Sequence, residues 1–243
     1  MKNKYKISLL LFAFFIGYII YSNKKFDGVW VEVYSLSPSD KNVEFEIANI
    51  LEINNGKVQL YSSNEELNRN FFIFNNQFFL SRFFNDAKLD KINMDSMVFK
   101  YPNKSKLVFK KIPEIYKSNS KFDIKNKIFS IKEQSSETIS TISFTDNALI
   151  QETSEKNIEI APSVIRKIND FNIIQTQYLV LISRIENGDL FIHQPTSKTK
   201  FNKYKLTEIK VDNETTELIK KEKTKYENKM LEKETNRTPI SAY

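Results

Sequence analysis

Residues 51–61 read LEINNGKVQLY, and the fold is legible from this stretch outward. Leu51 and Ile53 alternate with Glu52, Val58 and Leu60 alternate with Lys57 and Gln59, and Asn54, Asn55 and Gly56 lie between. Apolar side chains at every second position line one face of a strand. Asn and Gly accept the positive φ that a tight antiparallel turn demands. The reading is a β-hairpin with strands over Glu44 to Ile53 and Lys57 to Tyr61. The same short alternation recurs at Val29 to Tyr34, Asn70 to Phe74, Gln77 to Phe83, Met97 to Tyr101 and Lys106 to Lys111, with Asn75 and Asn76 as a second turn. Between Phe26 and Val211 the chain therefore predicts an all-β fold, mainly an antiparallel meander or barrel.

The second half repeats the plan of the first. Ile92 to Pro102 reads INMDSMVFKYP and Ile185 to Pro195 reads IENGDLFIHQP, which align without gaps and set Met97, Val98 and Phe99 over Leu190, Phe191 and Ile192. Each is followed by a lysine-rich turn and a last strand, KLVFKKI ending at Ile112 and KYKLTEI ending at Ile209. Upstream, LEINNGKV around Gly56 faces ISFTDNAL around Asn147 at nearly the same offset, which argues for two related halves. One segment departs from the pattern. Val164, Ile165, Ile168 and Phe171 fall on one helical face with Pro162 near the first turn, so a short helix is expected over Pro162 to Phe171.

Residues 7–21, ISLLLFAFFIGYIIY, are uncharged and bracketed by Lys2, Lys4 and Lys6 on one side and Lys24 and Lys25 on the other. That is how a segment bound for a bilayer is flanked. Its apolar side chains, Ile7, Leu9, Leu10, Leu11, Phe12, Phe14, Phe15, Ile16, Ile19 and Ile20, are the expected membrane anchor. The length of the run suggests a signal peptide, but Gly17, Tyr18, Ile19, Ile20 and Tyr21 offer no A-x-A-like cleavage site. An uncleaved single-pass transmembrane helix is the preferred reading, with snorkelling lysines and interfacial tyrosines making up its length. More lysines precede the run than follow it, so the amino terminus is expected in the cytoplasm. The main domain then lies outside it, in a bacterial inner membrane and periplasm.

The formal net charge of +7 invites a nucleic-acid partner, and the distribution of charge removes it. Residues 1–25 hold five lysines and no acid, leaving 32 basic against 30 acidic groups from Phe26 onward. No basic footprint remains. Chemistry is restricted as sharply. No cysteine and one histidine, His193, exclude thiolate nucleophiles, thiolate metal centres and paired-histidine zinc sites. His193 aligns with Lys100 at an alternating strand position and is expected to face solvent. No G-x-S-x-G, Walker A, G-x-G-x-x-G or EF-hand loop occurs, and four glycines are too few for most phosphate cradles. Ser22/Lys25, Ser118/Lys121 and Ser197/Lys200 match S-x-x-K, but about three such matches arise by chance from 22 serines and 32 lysines. Glu44 and Glu46 share a strand face, as exposed acidic pairs commonly do. No catalytic residue, metal or cofactor is expected, and the chain reads as a non-enzyme.

From Asp212 the sequence DNETTELIKKEKTKYENKMLEKETNRTPISAY carries seven bases and seven acids. A polar helix capped by Asn213 is expected, with Leu218, Ile219, Tyr226 and Met230 as a thin apolar stripe and a disordered end after Thr235. The organisation is thus 1–25 anchor or signal sequence, 26–115 first β unit, 116–211 second β unit and 212–243 charged helix or tail. A unit that opens with FDGVW, meanders, and closes on paired apolar strands resembles small bacterial lipocalin-like domains; Ile128 and Phe129 stand where the second half has no match for Trp30. The resemblance implies an antiparallel barrel or half-open meander with an apolar interior, and it carries over no ligand-contacting residue. Two functions follow as expectations. One is a membrane-tethered structural or interaction subunit of a cell-envelope assembly, with the membrane and other envelope proteins as partners. The other is a tethered module holding a small apolar ligand among Phe71, Phe72, Phe74, Phe78 and Phe79.

Overall fold

The computed structural model describes residues 2–35, 48–55, 57–62, 66–70, 72–74, 77–79, 88–102, 106–118, 124–132, 139–145, 148–152, 158–176, 179–196, 201–210 and 213–235. Helix α1 (Lys2–Lys24) precedes β1 (Gly28–Ser35), β2 (Ile50–Asn54), β3 (Lys57–Tyr61), β4 (Glu66–Asn70), β5 (Phe72–Phe74), β6 (Gln77–Phe79), β7 (Lys88–Ile92), β8 (Ser96–Lys100) and β9 (Lys106–Lys111). A 3-10 turn at Glu114–Tyr116 leads to β10 (Ile128–Lys132), β11 (Ile139–Phe144), β12 (Ala148–Glu152), β13 (Ile158–Ile168) and β14 (Phe171–Thr176). The chain continues through β15 (Val180–Glu186), β16 (Asp189–Gln194) and β17 (Asn202–Glu208) to helix α2 (Asn213–Thr235).

The strands form two antiparallel meanders in which the first strand pairs with the last. The second is a closed eight-stranded barrel, β10 to β17 in chain order, sealed where Phe129, Ser130 and Ile131 of β10 face Glu208, Thr207 and Leu206 of β17. The first is a seven-stranded sheet ordered β4-β3-β2-β1-β9-β8-β7, whose central pair sets Trp30 opposite Lys111. Its edges are β4 and β7, and the strands between them in sequence, β5 and β6, pair as a separate hairpin lying against α1. A mainly β architecture of a closed barrel and a curled sheet is compatible with the lipocalin-like resemblance.

Alternation along the strands sorts the core. Phe26, Trp30, Leu51, Val58, Leu60, Met97, Phe99, Leu107 and Phe109 fill the concave side of the first sheet. Phe129, Phe144, Ile174, Leu181, Leu190, Ile192 and Leu206 fill the barrel. The intervening residues of β1 and β2 point the other way, so Val29, Val31 and Ile50 pack with Ile112 against Ile168, Phe171, Ile173, Val180 and Ile182 of the barrel's outer face. Polar groups caught in that seam are paired: Ala48 N donates to Thr176 O at 2.8 Å, and the fully buried Gln175 amide donates to Ala48 O and Tyr61 O.

Several sequence expectations change. No helix forms at Pro162 to Phe171; β13 runs through it to a turn in which Asn169 (φ 46°) and Asp170 (φ 66°) are both left-handed, the geometry of a tight hairpin. The helical spacing is mimicry. Ile165 faces the barrel interior while Ile168 and Phe171 face the first sheet, so a strand buried on both sides carries apolar residues without alternation. The segment read as one strand at Asn70 to Phe74 is split between β4 and β5, while Glu44 to Glu46 and Leu80 to Phe83 lie outside the described residues. Helix α2 forms where expected and packs on β13; burial pushes the Tyr226 hydroxyl up to about 12. Among the described residues no helix is long and apolar enough to cross a membrane. The uncharged 15 residues rise only about 22 Å against a hydrocarbon core of about 30 Å, so the fold alone does not supply the transmembrane span expected at residues 7–21.

Candidate functional site

The ten apolar side chains expected to anchor the chain fall on α1, and the structure describes eight of them. Ile7, Leu9, Leu10, Leu11, Phe12, Phe14, Phe15 and Ile16 are between 41% and 74% exposed, and the side chains of Ile19 and Ile20 lie outside the described residues. Leu9 to Phe12 are four successive exposed residues, more than one full turn of the helix. These side chains are therefore left largely uncovered by the described residues of the β-body. A helix that is apolar all round belongs in a core or a bilayer.

The base of α1 is fastened to one end of the first sheet by backbone and side chain alike. Asp27 N donates to Lys24 O at 3.0 Å, Lys111 Nζ donates to Lys25 O at 3.1 Å, and Asn55 N at the β2–β3 turn donates to Asp27 Oδ1 at 3.1 Å. Phe26 is sunk into the core, and its carbonyl accepts the Trp30 indole N–H at 2.8 Å. Gly28 permits the approach: its φ is +137°, and a Cβ there would lie 2.7 Å from Lys111 Cε. Burial pushes the Asp27 carboxyl up and the Lys111 ammonium down, each effect partly offset by the attraction between the two.

Both meanders are oriented alike. The end of the first sheet that carries α1 holds the β2–β3 turn, the β7–β8 turn at Asn93 to Asp95 and the exit of β9. The matching end of the barrel holds the turns at Asn169-Asp170 and Asn187-Gly188. Ser118 N donates to Asp170 O at 2.9 Å, and the Arg184 guanidinium donates to Ile115 O, tying these ends together. At the far end Gln175 and Thr176 meet Ala48 and Tyr61.

The single histidine is buried, not solvent-facing as the alignment with Lys100 implies. His193 does point outward from the barrel wall, since its neighbours Ile192 and Leu190 point in, but the segment joining the two meanders covers it. The Tyr116 ring lies 4.7 Å from the imidazole and stacks on Phe201 at 4.8 Å with an interplanar angle of 1°. Beneath it His193 Nε2 is 3.0 Å from Glu186 Oε1, and Lys203 Nζ donates to Glu186 Oε2. Loss of hydration holds the imidazole below its ordinary pKa despite Glu186, and the Lys203 hydrogen bond holds the Glu186 carboxylate below its own. Burial also raises the Tyr116 hydroxyl. Tyr116 and Phe201 sit in a linker and a loop without periodic pattern, so only the covering geometry identifies them.

Four of the five phenylalanines expected to hold an apolar ligand belong to strands of neither meander. Phe72, Phe74, Phe78 and Phe79 lie on the β5–β6 hairpin, apart from both meanders; Phe71 and the side chains of the other four are outside the described residues. The barrel is occupied by its own side chains, with Phe129 and Phe144 tilted together at 6.4 Å. Among the described residues no three histidine or acidic side chains converge as metal ligands. No family model matches the chain, and no curated protein or solved structure matches it either.

Proposed function

We propose that the chain is a membrane-tethered interaction module of the cell envelope, held by α1 with its amino terminus in the cytoplasm and its β-body outside. The observation that carries the reading is the ring of exposed apolar side chains from Ile7 to Ile16 on a helix whose base is fastened to the body. In water such a surface is a liability, and in lipid each buried side chain contributes about 1.5–3 kcal/mol. The 17 residues between Lys6 and Lys24 rise about 26 Å, and lysines snorkelling at both ends close the remaining distance to a roughly 30 Å core. The remainder supports interaction over catalysis: the only histidine is covered by Tyr116, and the two meanders bury the seam between them. Holding an apolar ligand is the second reading and rests on no comparable observation; the described side chains inside the barrel pack as one cluster.

Membrane fractionation tests the tether. The wild-type chain should remain in the pellet after alkaline carbonate extraction, and the double variant Leu10→Lys, Phe14→Lys should be released. Recovery of the folded wild-type chain in the soluble fraction without detergent would refute the reading. Chemical cross-linking in intact cells, followed by mass spectrometry of the adducts, tests the interaction role; an absence of envelope proteins among the adducts would count against it.

A further inference from the structure

Outside the two helices, the exposed large hydrophobic side chains among the described residues are Met94, Ile115 and Ile185, at 68%, 67% and 36% exposure. They are scattered in sequence and share one end of the body. Met94 tips the β7–β8 turn, Ile115 sits in the 3-10 turn after β9, and Ile185 pairs with Leu190 beside the Asn187-Gly188 turn. All three positions belong to the end of the body from which α1 leaves. The far end and the outer walls carry none among the described residues.

The β5–β6 hairpin adds to the same end. Asn70, the last residue of β4, pairs with Lys57 at the β2–β3 turn, so the chain runs off the sheet here and its next strand, β5, lies against α1. That hairpin is built of Phe72, Ile73, Phe74, Gln77, Phe78 and Phe79. The junction below α1 has no slack, because residues 24–28 are fixed by the Lys24, Lys25 and Phe26 carbonyl hydrogen bonds. Whatever surface the base of α1 meets, this end of the body meets too.

We infer that this end of the β-body rests on the bilayer itself, with Met94 and Ile115 entering the headgroup–acyl boundary and the β5–β6 hairpin lying beside α1 at the same depth. The inference rests on the tether reading and adds a second, independent contact with lipid. Side chains with an apolar body on a turn, next to exposed lysines such as Lys25 and Lys57, suit that boundary, where apolar groups are buried and ammonium groups stay wet. The seam between the meanders gives the barrel the same orientation, so its turns at Asn169-Asp170 and Asn187-Gly188 face the membrane as well.

The absence of native cysteine makes the test direct. Full-length Met94→Cys, Ile115→Cys and Asn202→Cys, each labelled with an environment-sensitive fluorophore, are reconstituted into vesicles of phosphatidylcholine and phosphatidylglycerol carrying a headgroup-region nitroxide lipid. Asn202 pairs with Gln194 at the far end and is exposed. Flotation reports the tether separately, and circular dichroism reports folding. The expected result is flotation of all three, with blue-shifted emission and at least twofold nitroxide quenching at positions 94 and 115 and neither at 202. Flotation with labels 94 and 115 as wet as label 202 would overturn the inference and leave the tether standing. Failure of the folded wild-type chain to float would overturn both.

Discussion

Replacing Gln175 by Ala removes the polar pin of the seam, and its cost can be worked from the groups left behind. The side chain is fully buried; its amide donates to Ala48 O and, at 3.1 Å, to Tyr61 O, while its Oε1 accepts from Arg166 Nε at 3.1 Å. Both carbonyls face a seam lined by the apolar side chains of Val31, Ile50 and Ile173. A buried acceptor stripped of its partner costs about 1–3 kcal/mol, so two carbonyls give about 2–6 kcal/mol before any cavity is counted. Total stability for a domain is about 5–15 kcal/mol, so the loss is large enough to move the unfolding midpoint without ambiguity. Urea denaturation followed by the emission of Trp30, the chain's single tryptophan, reads the first sheet; far-ultraviolet dichroism reads both meanders. Gln175→Met separates the two origins of the loss, since it restores volume and supplies no donor. It should fall within about 1 kcal/mol of the Ala variant if hydrogen bonding dominates. A loss under about 1 kcal/mol in Gln175→Ala, or a Met variant as stable as wild type, would refute the argument.

Trp30→Ala should cost about 3–5 kcal/mol in urea denaturation followed by dichroism, and Trp30→Phe clearly less, because Phe129 fills the corresponding place in the barrel. His193 is held below its ordinary pKa in the folded chain, so the unfolded chain takes up the proton first as pH falls. Stability should therefore be level near neutral pH and decline below about pH 6.5, by at most about 1.4 kcal/mol per pH unit, and His193→Gln should flatten the curve just below about pH 6.5. Glu186, whose folded pKa is lowered, contributes stability that is lost only below its unfolded value, so its window lies lower and does not confuse the measurement. Gly28→Ala should lower the thermal midpoint through about 1–3 kcal/mol of strain at a φ of +137°, with Lys111 displaced from Lys25 O. A melting curve indistinguishable from wild type would count against that geometry.

Strands with one buried face are readable. Lys57 to Tyr61 and Lys106 to Lys111 coincide with β3 and β9, because Val58, Leu60, Leu107 and Phe109 alternate with residues on the opposite side of the sheet. Where burial is two-sided or slight, the period carries less information. β13 sits between barrel interior and seam and imitates a helix, and the edge strand β7, KLDKI with no side chain fully buried, gives no apolar period to find. Alternation places His193 on the correct side of its strand and in the wrong environment, since pattern along β16 is blind to a linker folded across it. Phe72, Phe74, Phe78 and Phe79 read as the lining of an apolar interior by composition, while strands β5 and β6 belong to neither meander and β5 lies against α1.

The two halves agree most closely where each meander joins its first strand to its last, and that join also fixes the helix. Ile112 N donates to Val29 O at 2.8 Å and Ile209 N to Ile128 O at 3.0 Å; Trp30 stands opposite Lys111 and Phe129 opposite Glu208. Met97 and Phe99 are buried on either side of the half-buried Val98, as Leu190 and Ile192 are on either side of Phe191. They differ at the other side of the ring, where the barrel closes and the first sheet ends at β4 and β7. In the first sheet the pair that closes the meander, β1 and β9, also supplies Gly28 and Lys111 to the base of α1. The sheet can therefore open at its edges, releasing β5 and β6 to lie along α1, without loosening the joint that positions the helix. A gap between β1 and β9 would instead separate Lys111 from Lys25 and leave the base of α1 without that hydrogen bond.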